Sequence, residues 1–541
     1  MPAEYVDLAE RIIDELLAAD PHLASYAGDH RHDHRLPDLS PDGVTAQVRM
    51  LRDASAALSG VDTDGLSLAD QVDHELLLSL VERKLFLLTE VREHEWNPLV
   101  HNPGSLLFAL LARPFAPAEQ RLEALQARLA AIPEALAIAR SVLLDCPRIH
   151  LETAAGQFRG TAALVRDELP RLGAEAPAVW STVEPVAAAA ATALASFAGW
   201  LDERAAAADP GRDPRLGRPR WEAKLWHTLD TELTAAQINR LAWENLERVT
   251  EQIREAAAEL VGGRADDDTV REALHRLAQE HPDDSSIVEL ARITLDETTA
   301  FVRERDLVSL VDDPCVIQTM PEFARGVSVA YCDPPGPLES TDVPTFYCIA
   351  PTPAGWSAEL VESFYREYNN HMVRDLTVHE AMPGHFLQLA HARRYSGSTR
   401  VRAITYSGPF VEGWAVYAEQ LMAEHGFGGL PVRLQQLKMQ LRMTINAILD
   451  QAVHCDGMTE GEAMALMLQR GFQEEGEAAG KWRRALLTSA QLSTYFVGYQ
   501  EVAALAAQRP DGVTLRAWHD RMLAHGSPSP RHLRTLLLDG R

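Results

Sequence analysis

Two stretches of this chain carry residue types that could do chemistry together: His379-Glu380-Ala381-Met382-Pro383-Gly384-His385, and a second stretch that begins at Glu412. Histidine and glutamate are the donors of a hydrolytic zinc site, which takes three protein ligands and keeps a fourth position open. Such a site also needs a carboxylate beside the open position to take a proton from water. Glu380, adjacent to His379, is the candidate general base. In His-Glu-x-x-His the histidines share a helix face because they are four residues apart. Here the interval is six. In an unbroken helix six residues turn through about 600°, leaving the imidazoles roughly 120° apart. Pro383-Gly384 offers a way out, since proline interrupts the i to i−4 ladder and glycine accepts unusual dihedrals. A bend there is expected to turn His385 back towards His379.

The third ligand is expected from another helix. Glu412-Gly413-Trp414-Ala415-Val416-Tyr417-Ala418-Glu419 places two glutamates seven residues apart, on one helix face. Glu412 is assigned as the ligand. Glu419 is expected to orient a ligand histidine through its other ring nitrogen. If the bend ran the other way, His371 and Glu419 would be the next ligand candidates. Each residue alone has an ordinary explanation, such as a hydrogen-bonded histidine or a solvated glutamate. The conjunction, with Pro-Gly inserted between the histidines, points to a metal.

Hydrolysis of an amide also needs a donor for the developing oxyanion. Tyr495 and His454 are the candidates, with Tyr499 as a further substrate contact. Arg442 could hold a substrate carboxylate, which guanidinium binds bidentately. Asp450, four residues before His454, joins Glu419 as a supporting carboxylate. The plainer readings are a tyrosine with its hydroxyl satisfied, a His454–Asp450 pair and an internal ion pair at Arg442.

The elements that must position these groups read mostly as helix. Leu8–Leu17, Ala69–Thr89, Ala118–Leu144 and Ala187–Ala207 show apolar residues recurring three or four apart. Ser40-Pro41-Asp42 and Thr234-Ala235-Ala236-Gln237 read as helix starts, the second as a capping box. Asp209 to Pro219, rich in Pro, Gly and charge, reads as a surface loop between two helical halves. The expected division is an N-terminal helical lobe over 1–208 and a metal-site lobe over 220–541. Between about 307 and 353 the helical period fails. Val316-Ile317-Gln318, Val327-Ser328-Val329-Ala330-Tyr331 and Thr345-Phe346-Tyr347-Cys348-Ile349-Ala350 predict a small sheet there.

Composition narrows the partners. At 541 residues the chain is too long for one simple core. Its net charge of −27 repels nucleic acid and anionic membrane surfaces, so neither is expected. The five cysteines are widely spaced without Cys-x-x-Cys, which argues against a disulfide framework or a cysteine-rich zinc site. No signal-peptide pattern and no run of 18 or more apolar residues is read, so the cytoplasm is the expected location. The oligomeric state is left open.

The string His379 to His385, followed by Glu412 to Glu419, resembles the bacterial family known as domain of unknown function 885. The resemblance extends to Leu36-Pro37-Asp38-Leu39-Ser40, to Pro334-Pro335-Gly336-Pro337-Leu338-Glu339 followed by Phe346-Tyr347, to Arg442, Asp450 and His454, and to Tyr495-Phe496-Val497-Gly498. The wider pattern is similar to the helical zinc peptidases of the carboxypeptidase Taq, thimet oligopeptidase and angiotensin-converting enzyme groups. Those have His-Glu-x-x-His, two residues shorter than the interval here. The resemblance implies a mainly α, two-lobed helical body split by a deep groove, with a small sheet at its edge. A strand edge there could pair with an extended peptide.

The expected activity is zinc-dependent hydrolysis, of a peptide or small amide, with Glu380 as general base. The competing readings are a zinc hydrolase of a non-peptide amide or ester, and a non-catalytic binding protein with a degenerate site. A serine hydrolase is disfavoured because no Gly-x-Ser-x-Gly occurs.

Overall fold

The computed structural model describes residues 2–207, 211–320, 329–353 and 355–539. Helix accounts for 71% of the structure, with one small three-stranded sheet, in line with the mainly α expectation. The chain forms two compact units. One comprises Met1–Pro214 with Pro335–Val343 and Gly397–Thr405. The other comprises Arg215–Pro334, Pro344–Ser396 and Tyr406–Arg541.

The first unit is built on three helices, α1 (Ala118–Val142), α2 (Arg148–Ala163) and α3 (Pro177–Ala205), with α3 packed against both of the others. Helix α3 is long and apolar enough to cross a membrane by length and composition. Here its buried stripe, Val183, Ala187, Ala190, Leu194, Phe197 and Leu201, recurs at helical spacing and joins the core made with α1 and α2. Each fully buried Leu or Phe of this kind is worth about 1.5–3 kcal/mol in transfer free energy. Ser40 caps the helix Pro41–Ser59, its Oγ accepting from the Gly43 N–H at 3.0 Å. The Pro-Pro-Gly segment also serves this unit: Leu338 N–H donates to the Ala27 carbonyl at 2.7 Å. A Cβ on Gly336 would lie 2.3 Å from Ala27 backbone, so only glycine fits that approach. Asp209 and Pro210 of the expected interlobe loop lie outside the described residues.

In the second unit, Thr234 and Gln237 form the capping box that the sequence predicts at the head of α4 (Ala235–Val261). Helix α5 (Ile287–Arg305) precedes the sheet. The strands are β1 (Cys315–Thr319), β2 (Ala330–Asp333) and β3 (Thr345–Ile349), in the order β1-β3-β2. Strand β3 is central and wholly buried, parallel to β1 and antiparallel to β2. Val327 and Ser328 of the second expected strand lie outside the described residues.

Helices then dominate again: α6 (Asn370–Glu380), α7 (His385–Ala392), α8 (Gly408–Glu424), α9 (Gly429–Cys455), α10 (Glu475–Leu487) and α11 (Ser493–Ala506). Two capping side chains fix the starts that matter. Asn369 accepts from the His371 and Met372 N–H groups at the head of α6, at 3.1 and 3.2 Å. Ser407 accepts from the Phe410 N–H at the head of α8, at 3.3 Å. The core between these helices includes Met372, Val378, Phe386, Phe410, Trp414 and Trp518. The hydroxyls of Tyr347 on β3 and Thr377 on α6 lie 3.2 Å apart, tying the sheet to the helix that carries His379 and Glu380.

Candidate metal centre

The six-residue histidine interval is absorbed by a break in the helix rather than by a bend within it. Helix α6 stops at Glu380 and α7 starts at His385. Across the gap the backbone bonds lengthen their reach. Met382 N–H meets the Thr377 carbonyl at 3.1 Å, Gly384 N–H meets Val378 at 3.0 Å, and Leu387 N–H meets Ala381 at 3.3 Å. These span five or six residues where an α-helix spans four. Pro383 has no N–H to lose, and the Met382–Pro383 peptide is cis. A Cβ on Gly384 would lie 2.0 Å from the His379 carbonyl oxygen, so the turn requires glycine. Trp414 of α8 closes it from the other side, its indole N–H donating to the Pro383 carbonyl at 2.8 Å.

This turn sets the two imidazoles edge to face, with ring centres 4.6 Å apart at 84°. The Nε2 atoms of His379 and His385 each lie 3.5 Å from Glu412 Oε2. One donor atom from each residue falls within 4.8 Å of the others, the compass of a single ion. Glu412 Oε2 is buried and has no hydrogen-bond partner, although two imidazole nitrogens face it. An orphaned buried oxygen between two histidines is what a metal-ligand set looks like without its ion, and two nitrogens with one carboxylate oxygen suit zinc. Burial alone would raise the Glu412 carboxyl, but the two histidines override it and hold it well below the usual carboxylate range.

Glu419, two turns along α8 from Glu412, accepts from His379 Nδ1 at 2.5 Å. It is 2% exposed. This bond fixes the ring so that Nε2 faces Glu412. Asp375, one turn before His379, is equally buried. Burial beside the Glu419 carboxylate pushes its carboxyl well up. Asp375 escaped the sequence reading, although a carboxylate four residues before a ligand histidine was a visible signal. Glu380 is 8% exposed and makes no hydrogen bond among the described residues.

The helices of Glu412 and Tyr495 cross at two glycines. A Cβ on Gly413 would meet the Gly498 backbone at 2.3 Å, and one on Gly498 would meet the Pro409 carbonyl at 2.0 Å. Helices α8 and α11 touch backbone to backbone there, with Tyr495 one turn before Gly498 and Glu412 next to Gly413. Burial and the Glu412 charge raise the Tyr495 phenol. Arg484 of α10 donates to the phenol oxygen at 3.1 Å. No sequence signal singled out Arg484.

The remaining expected residues lie elsewhere, each for a clear reason. His454 Nδ1 accepts from the Leu216 N–H at 3.3 Å, and its Nε2 donates to the Ala485 and Thr488 carbonyls at 3.0 and 2.8 Å. Both ring nitrogens are spent on backbone, so it is a bracing residue rather than an oxyanion donor. Asp450 supports no ligand histidine. It accepts from Trp221 Nε1, from the Ala490 N–H, and from the Ser493 N–H and hydroxyl, at 2.9 to 3.0 Å. Arg442 is paired with Glu477. The Tyr499 hydroxyl donates to the Gln420 side chain. His371, the reserve ligand, pairs with Glu280 at 3.5 Å.

The fold and this site define the class: a mainly helical protein with a partly buried two-histidine, one-glutamate cluster next to Glu380, which makes no hydrogen bond among the described residues. The chain belongs to the family of bacterial proteins of unknown function designated DUF885, whose pattern it matches over residues 21–537. It is similar to the solved structure of a "putative lipoprotein of unknown function" from Shewanella oneidensis, with 28% identity, a TM-score of 0.82 and 99% of each chain covered. A second solved structure, described in like terms and from Colwellia psychrerythraea, shares the fold, with a TM-score of 0.79 at 17% identity and 99% of each chain covered. No curated protein matches the chain.

Proposed function

We propose that this protein is a zinc-dependent hydrolase that cleaves amide bonds of peptides or small amides. The observation that carries the reading is Glu412 Oε2, buried without a hydrogen-bond partner and 3.5 Å from both His379 Nε2 and His385 Nε2. His379, His385 and Glu412 would hold the ion. When bound, zinc supplies Lewis acidity to water and to a carbonyl.

The chain's own groups do the rest. Glu380 takes a proton from the attacking water and returns it to the leaving amine. Because the Tyr495 oxygen accepts from Arg484, its own O–H remains to donate to the developing oxyanion. Glu419 holds the His379 ring in place throughout. Strand β2 is an edge of the sheet and packs against α6, which supports an extended peptide substrate. The likeness to helical zinc peptidases rests on this same arrangement of donors, general base and second glutamate.

The lipoprotein description of the two relatives favours a site outside the cytoplasm over the cytoplasm expected from composition. Fractionation of the native protein decides between them.

The test is metal analysis of the purified protein together with Glu380→Gln. The expected result is one zinc per chain in both proteins, and a loss of amide hydrolysis in the variant of about 10²- to 10⁴-fold. If zinc neither copurifies nor rebinds, or the variant is as active as the parent, the reading fails.

A further inference from the structure

Helix α10 carries Glu477, Lys481 and Arg484 at spacings of four and three, so the side chains share one face. Glu477 is already engaged. Arg442 of α9 donates to it, and so does the Tyr368 hydroxyl at 3.3 Å. Lys438 and Glu367 form their own buried pair at 2.8 Å. Lys481 is 5% exposed and has no hydrogen-bond or ion-pair partner among the described residues. Its charged neighbours are Arg442, Glu477 and Arg484.

The cluster sets four cations, Lys438, Arg442, Lys481 and Arg484, against two carboxylates, Glu367 and Glu477. In a chain of net charge −27 with only four lysines, that surplus of positive charge runs against the composition. A buried ammonium is disfavoured unless an anion completes it. Burial, with Arg442 close by, pushes Lys481 well below the ordinary lysine value.

The cluster is linked to the candidate metal centre through Tyr495. Arg484 lies one turn along α10 from Lys481, about 5–6 Å between side-chain bases. It donates to the Tyr495 hydroxyl at 3.1 Å, and Tyr495 in turn lies within the field of Glu412.

We propose that Lys481, with Arg484 beside it, anchors a substrate carboxylate, so that the enzyme prefers peptides carrying a negative charge. This rests on the hydrolase reading. It moves the anchoring role from Arg442, which Glu477 occupies, to the cation with no partner. A C-terminal α-carboxylate and an acidic side chain offer the same chemistry.

The test compares three N-acetylated alanine tetrapeptides: a free acid, a C-terminal amide, and an amide carrying one glutamate. The zinc-loaded full-length protein is expected to favour a carboxylate-bearing peptide over the neutral amide by roughly 10- to 100-fold in kcat/KM. Which of the two is favoured identifies the carboxylate. Lys481→Met erases the preference, mainly through the KM of the carboxylate-bearing peptide, while Lys481→Arg restores part of it. Thermal melts confirm that both variants fold. The proposal is overturned if the parent shows no preference, or if Lys481→Met slows charged and neutral peptides alike. Calorimetry with Glu380→Gln separates the two readings. Lys481-dependent binding of a carboxylate peptide without turnover by the parent sinks the hydrolase and keeps the anchor. Turnover without Lys481 dependence sinks the anchor alone.

Discussion

Gly413 and Gly498 meet backbone to backbone, and that contact sets the distance between the helix of Glu412 and the helix of Tyr495. A methyl group on Gly498 would lie 2.0 Å from the Pro409 carbonyl oxygen, with no flexible side chain to give way. Gly498→Ala is expected to push α8 and α11 apart and to cost about 1–3 kcal/mol of stability. Metal affinity and turnover should fall with it. Gly199, inside α3, is the control, since a Cβ there meets nothing within 4 Å. Gly199→Ala should stabilise by about 0.5–1 kcal/mol. Equal melting temperatures for Gly498→Ala and the parent would refute the close crossing.

In the proposed metal centre, Glu419 would act on the ion through His379. Glu419→Gln keeps a carbonyl oxygen to accept from Nδ1 but loses the charge that steadies the ring. Zinc affinity should fall by about 10- to 100-fold, as for other supporting carboxylates. His379→Ala removes a ligand and should fall much further. Competition with a chelator measures both. Identical affinities for Glu419→Gln and the parent would show that the 2.5 Å contact does not steady the ligand.

Much of this centre was legible because its signals are local. His379, Glu380, His385 and Glu412 to Glu419 occupy two short stretches, and the seven-residue spacing of the glutamates already puts them on one face. The loss of helical period near 307–353 marked the sheet correctly. What escaped depends on long-range packing. Pro335–Val343 and Gly397–Thr405 fold with the N-terminal residues, and nothing in their composition announces it. Arg484 gains its place only because the fold brings its guanidinium to the Tyr495 hydroxyl. His454 and Asp450 looked chemical because polar residues four apart on an apolar helix stand out. Their partners, backbone at Ala485, Thr488, Ala490 and Ser493, are invisible until the chain is folded.

That contrast yields a paired prediction. Tyr495→Phe removes only a hydroxyl, so zinc should stay bound while kcat falls by about 10²- to 10³-fold. His454→Ala leaves an N–H and two carbonyls without their partner. It should cost about 2–4 kcal/mol of stability, yet leave turnover per folded, zinc-loaded molecule unchanged. Denaturant melts and active-site-normalised kinetics separate the two effects. A turnover defect in folded His454→Ala would return that residue to the mechanism.

Glu501 gives the chain a pH-dependent weakness remote from the metal chemistry. Its Oε1 accepts from the Thr231 hydroxyl at 2.5 Å, while Oε2 is buried without a partner. Burial, reinforced by the charges of Asp230 and Glu232, raises its carboxyl from 4.5 to about 7. Below about pH 4.5 the group is protonated in both folded and unfolded chains and costs nothing. Between there and about pH 7 the unfolded chain ionises first, so stability declines as pH rises. Above about 7 the whole cost is present, on the order of 1–3 kcal/mol. Glu501→Gln, which cannot ionise, should raise stability by that amount at pH 8 and by almost nothing at pH 4. Melting temperatures of parent and variant across this range should converge on the acid side. Parallel curves would mean that Glu501 is ionised in the folded protein throughout.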